Sequence, residues 1–399
     1  MHKLLSLAVL LLWGHWAAAQ QLILTGTVVD EQQRPVPYAS VGVQGSQQGT
    51  ATNEVGEFSL RVASLPQQLE VLSIGYAPTT RAVTSATEQL IIVLPASAVA
   101  LPEVRVRNPE AEARELVQRA SAKLLRHAAQ TYYGKAFYRQ KTQQNGVYCE
   151  FFDAFYDVKF TNRQIEGWDL GESRYAVRPG GFTFSNFSAL IREALPTFSK
   201  QPRREKLLTP LGPQALTQFD FTLKEIQTSQ GRELAVVAFE PKTSVQKPAP
   251  SGLLYLDRQT AALYRREMVV SLNSLLTLDG ADGAQLEADE LRVVSDYRPV
   301  SDSLTRLAST RAQCRLLFRL PSGQLDSTHV AASFFFYQYN NRLRGQTYAD
   351  VPRRSKDLQR VMARAYNPVF WLDNAVVKDS PLEEKLIQDL EGKQVFRRM

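Results

Sequence analysis

From Leu22 to Tyr339 this chain alternates apolar and polar residues with a period of two, in runs broken by turn chemistry. Successive side chains on a strand point to opposite faces, so the pattern commits most of the chain to β-sheet. One stretch departs from it. Leu116, Val117, Ala120, Leu124 and Ala128 recur at helical spacing. Asn108 stands ready as a cap, Pro109 suits a first turn, and Glu110, Glu112 and Glu115 lie where the helix dipole favours acids. This predicts a helix over Glu110 to Ala128 with His127 in its last turn, where a cation is favoured. The strands before and after it differ in length, which predicts two β units. Residues 21–95 form a small sandwich, 96–108 a linker, and 109–399 a large antiparallel sheet with a few flanking helices.

Six or seven short strands at roughly ten-residue spacing over residues 22–95 read as an antiparallel sandwich. Asn53 and Gly56 sit where the chain must reverse, and both residue types tolerate positive φ. Four blocks occur in order: G-x-V-x-D (Gly26, Val28, Asp30), P-V-P-x-A-x-V (Pro35 to Val41), G-T-x-T-N-x-x-G-x-F-x-L (Gly49 to Leu60) and S-x-G-Y (Ser73 to Tyr76). This region resembles the carboxypeptidase-like regulatory domain, abundant in exported proteins of the Bacteroidota. The resemblance implies a prealbumin-like β-sandwich and an accessory role without peptidase activity. The peptidase zinc pair H-x-x-E is missing, since His127 is followed by Ala128-Ala129-Gln130 and His329 by Val330-Ala331-Ala332.

Beyond the helix the strands lengthen. Gly146 to Phe160 is aromatic throughout, Phe219 to Leu223 faces Glu233 to Glu240, and Ser251 to Leu256 with Ala261 to Leu272 makes a hairpin around Asp257 to Thr260. Further strands follow at Glu287 to Tyr297, Gln313 to Leu320 and Val330 to Tyr339. Phe182 to Leu195 reads as a loop with a short helix. Meander order predicts neighbour pairing, and about ten twisted strands tend to curl into a half-barrel with a concave face to fill. This part resembles the body of Bacteroidota exported proteins that carry the same N-terminal module, down to Tyr366-Asn367-Pro368-Val369-Phe370-Trp371 and the helix at Leu382-Glu383-Glu384. Its hairpins are also similar, in pattern, to periplasmic lipoprotein carriers. The expected fold class is thus mainly β, a sandwich followed by a half-barrel-like sheet.

The first residues set the compartment. Lys3, the apolar run Leu4 to Trp13 and Ala17-Ala18-Ala19 make a signal peptide cleaved after Ala19. No later stretch is long and apolar enough to span a membrane, and no Cys follows the cleavage site to carry a lipid. The formal net charge of +7 is spread along the chain, which speaks against a nucleic-acid footprint. The expectation is an exported protein, periplasmic or envelope-associated.

No nucleophile elbow, phosphate-binding loop or dinucleotide fingerprint occurs, and no cofactor or metal is expected. Asp279 to Gly283 lacks the alternating acids of a calcium loop and reads as a solvated turn. The basic groups Arg203, Arg204, Lys206 and Arg353, Arg354, Lys356 read as solvated loops, with contact to an anionic glycan or lipid headgroup as the functional alternative. The aromatics are the main lead. Phe151 and Phe155 on one strand and Phe334, Phe336 and Tyr337 on another either fill a core or line a groove for a lipid or glycan. Two function classes follow. The first is a non-enzymatic binding or scaffold module with an envelope lipid, glycan or protein as partner. The second is a hydrolase of an envelope polymer working through carboxylates such as Glu287 and Asp289, which would need a convergent pair about 5–10 Å apart. An oxidising compartment also allows Cys149 and Cys314 to pair.

Overall fold

The computed structural model describes residues 22–97, 108–178, 191, 195–229, 231–275, 283–301, 304–340, 348, 357–372, 374, 376–392 and 396. The expected leader, the connector 98–107 and the turn at Asp279 to Asp282 lie outside the described residues, as do most of Phe182 to Leu195 and the cluster Arg353, Arg354, Lys356.

The N-terminal unit packs two sheets. β1 (Leu22–Asp30), β4 (Glu57–Val62) and β7 (Leu90–Leu94) form one in the order β4-β1-β7. β2 (Ser40–Val43), β3 (Gly49–Ala51), β5 (Gln67–Leu72) and β6 (Thr79–Val83) form the other in the order β3-β2-β5-β6. Leu24, Val28, Val41, Phe58, Leu69 and Ile92 close a core between them. A Cβ on Gly26 would lie 2.5 Å from the Leu90 carbonyl and 2.8 Å from the Phe58 ring, so only glycine fits between these two neighbouring strands of its own sheet. At the following turn, the positive φ falls on Gly56 (79°). Asn53 acts instead through its side chain, accepting from Val55 N at 3.0 Å and Glu57 N at 2.9 Å.

Helix α1 (Pro109–Arg126) starts where the caps predict, with Ala111 N donating to Asn108 Oδ1 at 3.0 Å. Ala113, Leu116, Val117 and Leu124 are buried toward the large sheet. That sheet contains β8 (Thr131–Gln144), β9 (Val147–Thr161), β10 (Ile165–Val177), β11 (Phe219–Ser229), β12 (Arg232–Pro241), β13 (Ser251–Asp257), β14 (Leu263–Val270), β15 (Gln285–Ser301), β16 (Leu304–Arg319) and β17 (Leu325–Asn340). The order is β10-β9-β8-β17-β16-β15-β14-β13-β12-β11, open at both edges.

Strands adjacent in the sheet are also adjacent in sequence except at one junction, third strand from one edge, where the first strand, β8, pairs with the last, β17. β10 and β11 therefore occupy opposite edges, and the chain joining them must cross the sheet. Its described residues do so over the concave face. Leu195, Phe198, Leu207, Leu208 and Leu211 are buried in the main core together with Trp168, Phe160 and Phe334. The buried Arg266 donates to the carbonyls of Pro196 (2.6 Å) and Leu195 (3.4 Å), tying the strap down. The concave face is thus filled by the chain's own strap and helix. Short helix α2 (Ala215–Gln218) ends the strap.

The outer face is covered by two pieces distant in sequence. α3 (Asp357–Met362), α4 (Pro368–Leu372) and α5 (Pro381–Gly392) lie over β8 to β10, where Trp371, Phe370 and Phe396 meet Phe155 and Phe151. The sandwich sits beside them. Its β2–β3 turn docks on the end of β17, Tyr339 N donating to Gln47 O at 3.1 Å.

Cys149 and Cys314 are not joined. Through the registers Cys314–Val330, Val330–Thr142 and Thr142–Glu150 they stand three strand spacings apart, roughly 14 Å at about 4.8 Å each. A disulfide needs Cα atoms within about 7 Å, so the pairing that an oxidising compartment would allow does not form, and both cysteines are free.

Candidate functional site

The outer face reads as a grid, because strand register fixes which side chains stand abreast. Along β17 the outward residues are His329, Ala331, Ser333 and Phe335. On one flank β8 places Gln143, Lys141, Arg139 and Phe137 opposite them. On the other, β16 places Arg315, Gln313, Arg311 and Ser309. Two small side chains between two columns of long ones leave a trough along β17, stopped by Phe335 at one end and reaching His329 at the other. Tyr38, Asn53 and Glu54 of the sandwich roof it, and Val377, Lys378 and Glu383 wall one side. The cavity is about 320 Å³ and partly open to solvent.

The roof carries backbone strain. Tyr38 has φ 58°, a left-handed conformation costing a bulky side chain on the order of 1 kcal/mol. It is held by Tyr38 N donating to Thr52 O at 3.2 Å and by the Arg311 guanidinium, 4.4 Å from its ring centroid. Arg311 is in turn fixed by Asp296 at 3.0 Å.

The side wall is an ion network drawn from all three parts of the chain. Arg139 donates Nε and Nη2 to the two oxygens of Asp153, both at 2.8 Å. It also reaches Asp379 at 2.5 Å and Glu383 at 2.7 Å. Arg174 shares Asp153 at 2.7 Å and lies 4.2 Å from the Trp371 ring centroid. Lys141 joins Glu383 at 2.9 Å to Glu54 of the sandwich at 3.2 Å. Burial pushes the Glu383 carboxyl up, but Arg139 and Lys141 outweigh it and hold the group at about 2. Glu383 is delivered by a capping box. Ser380 N donates to its carboxylate at 2.9 Å, Glu383 N returns to Ser380 Oγ at 3.4 Å, and Pro381 fills the first helical position.

The five aromatics singled out from the sequence divide between faces. Phe334 and Phe336 point into the main core, where Phe336 stacks on Phe160 with centroids 4.3 Å apart. Phe151, Phe155 and Tyr337 point outward and pack under the C-terminal segment. Phe334 borders the cavity and the other four do not. Glu287 and Asp289 do not converge on one another. Glu287 is bound by Arg319 at 2.6 Å, and Asp289 accepts from Ser271 and Asn273. Sequence reasoning missed Tyr38, Arg139, Lys141, Glu54 and Glu383. A signal for Glu383 stood in Ser380-Pro381-Leu382-Glu383, and for the trough in two small residues, Ala331 and Ser333, on an aromatic strand.

Among the described residues no cluster of His, Cys, Asp and Glu is arranged to hold a metal, and no helix is long and apolar enough to cross a membrane. Residues 24–106 match the family model described as CarboxypepD_reg-like domain, which covers the sandwich. No curated protein matches the chain. Among solved structures, a DUF1329 family protein from Desulfovibrio piger aligns at 11% identity over 60% of this chain and 95% of its own, with a TM-score of 0.25. A LolA superfamily protein from Nitrosomonas europaea aligns at 11% identity over 59% and 97%, with a TM-score of 0.19. At those scores neither alignment assigns a ligand to this chain.

Proposed function

We propose that this chain is an exported, non-catalytic binding module of the bacterial envelope, and that its ligand sits on the outer face of the large sheet. One observation carries the reading. A cavity of about 320 Å³ lies where the sandwich, the sheet and the C-terminal segment meet, within the usual range for small-molecule sites, about 300–1,000 Å³. The filled concave face supports this placing, as does the strained Tyr38 in the roof, since strain collects at ligand clamps. The leader-like first nineteen residues support export, and the resemblance of both halves of the chain to Bacteroidota exported proteins supports the envelope. In this reading the sandwich is an accessory that completes the site.

A hydrolase reading draws less support. Of the carboxylates bordering the cavity, Glu383 stays ionised far below neutral pH and Glu54 is engaged by Lys141 and Ser380. Neither is placed as a general acid.

The test is native mass spectrometry of the full chain recovered from the periplasm of the cell that produces it. Ala331→Trp fills the trough from its floor without changing charge. The wild type is expected to release a defined small molecule on denaturation and the variant to carry none. Equal loading of both, or none on the wild type, overturns the reading.

A further inference from the structure

The mouth of the trough has a chemistry of its own. His329 lines the cavity with Nε2 shielded from solvent and unbonded, and a buried polar atom of that kind calls for a partner. Its surroundings are cationic. Lys141 stands one step along β8, and Arg315 stands directly across on β16. Lys141 is engaged by Glu383 and Glu54. Arg315 is not matched in the same way. Glu290, its cross-strand neighbour, goes to Arg292 at 3.6 Å, and Asp289, bordering the outer rim, goes to Ser271 and Asn273. Burial, Arg315 and Lys141 together hold the imidazole below its ordinary pKa, and in its Nε2–H tautomer the neutral ring would donate to an acceptor at the mouth.

A shielded imidazole nitrogen beside an exposed guanidinium that meets no carboxylate among the described residues is the complement of an acid group. The geometry points to an anionic ligand. Its carboxylate or phosphate sits between His329 and Arg315, and its ring or short chain runs over Ala331 and Ser333 toward Tyr38 and Phe335. The inference rests on the cavity reading above and names the ligand class for it. A neutral sugar would satisfy the glutamines at the mouth, Gln143 and Gln313, but would leave Arg315 uncompensated. An acid satisfies both. Because Arg315 is exposed, its share of the affinity is screened by salt.

Four probes in two matched pairs test this by calorimetry on the full chain at low salt: sodium glucuronate against glucose, and octyl phosphate against octyl glucoside. The acid member of at least one pair is expected to bind tenfold or more tighter than its neutral partner. Arg315→Gln should remove about that tenfold along with most of the salt dependence, and Ala331→Trp should abolish binding while the melting curve stays cooperative. Preference for glucuronate identifies a sugar acid, and preference for octyl phosphate a lipid-like headgroup. Neutral members binding as well as acids, and losing binding in Ala331→Trp, would overturn the anion inference and leave the cavity reading standing. Binding that is indifferent to Ala331→Trp would overturn both. No binding by any probe overturns the anion inference, and the retained mass then decides the cavity reading separately.

Discussion

Arg139 is buried to 5% exposure with three carboxylates on it. Burial alone would lower its pKa, but Asp153, Glu383 and Asp379 raise it well above the ordinary arginine value. Removing one member of such a cluster strands the others. Arg139→Ala is expected to cost about 3–5 kcal/mol in urea unfolding; a cost under about 1 kcal/mol would mean the network is solvated. Glu383 gives the pH dependence. Its folded carboxyl, at about 2, binds its proton more weakly than the unfolded one near 4.5. Its stabilisation is therefore complete above about pH 4.5 and lost as the pH falls toward 2, on the order of 3 kcal/mol. Stability measured from pH 7 to pH 2 should fall more steeply for the wild type than for Glu383→Gln, which starts lower. Cys314 shows the opposite case. Burial, with Asp289, pushes its thiol up to about 12, so iodoacetamide at pH 8.5 should leave it unmodified in the folded chain. After denaturation without reductant both Cys149 and Cys314 should alkylate, because the two are too far apart to have bonded.

At the scale of elements, α5 is a delivery device as much as a cover. Its capping box holds the first turn so that Glu383 meets Arg139 and Lys141, while Ser380 Oγ also donates to Glu54 of the sandwich at 3.2 Å. Ser380→Ala should therefore destabilise by about 1–2 kcal/mol, more than an exposed cap would, and should loosen the α5–sandwich contact in hydrogen exchange. Exchange confined to the ends of α5 would show that the cap acts on the helix alone. Strand β17 is the counterpart. Its inward residues build the core, and its outward ones, by being small in the middle, make the trough.

At the scale of the whole molecule, the sandwich and the large sheet bury separate hydrophobic cores among the described residues, one between the sandwich sheets and one under the strap, with smaller clusters beneath the C-terminal segment. Contacts between the parts are mostly polar: Glu54 with Lys141, Thr50 to the Val376 carbonyl at 2.9 Å, Asn53 to the Lys378 carbonyl at 3.3 Å and Arg306 to Gln47 at 2.8 Å. Residues 108–399 alone should then fold cooperatively, about 2 kcal/mol less stable than in the full chain, and should lose ligand retention because the roof is gone. An insoluble or non-cooperative fragment would mean that the sandwich completes the larger core.

What the sequence determined by itself is local. Period-two alternation, turn residues and the Asn108 cap specify the strands and helix α1, because pleat, capping and glycine freedom act over a few residues. The blocks from Gly26 to Tyr76 likewise mark the sandwich before any packing is known. What only the tertiary structure decided is non-local. The pairing of β8 with β17 joins residues nearly two hundred apart in the chain, and no local pattern encodes it. That one pairing sets Arg139 beside Ser333 and Lys141 beside Ala331, and so creates the trough. The same long-range placement brings Glu54 and Glu383 to Lys141 and keeps Cys149 from Cys314. Aromatic alternation announced buried faces but not which face each ring would share. From the sequence the five rings could fill a core or line a groove, while the charges around the cavity have partners that lie on other elements.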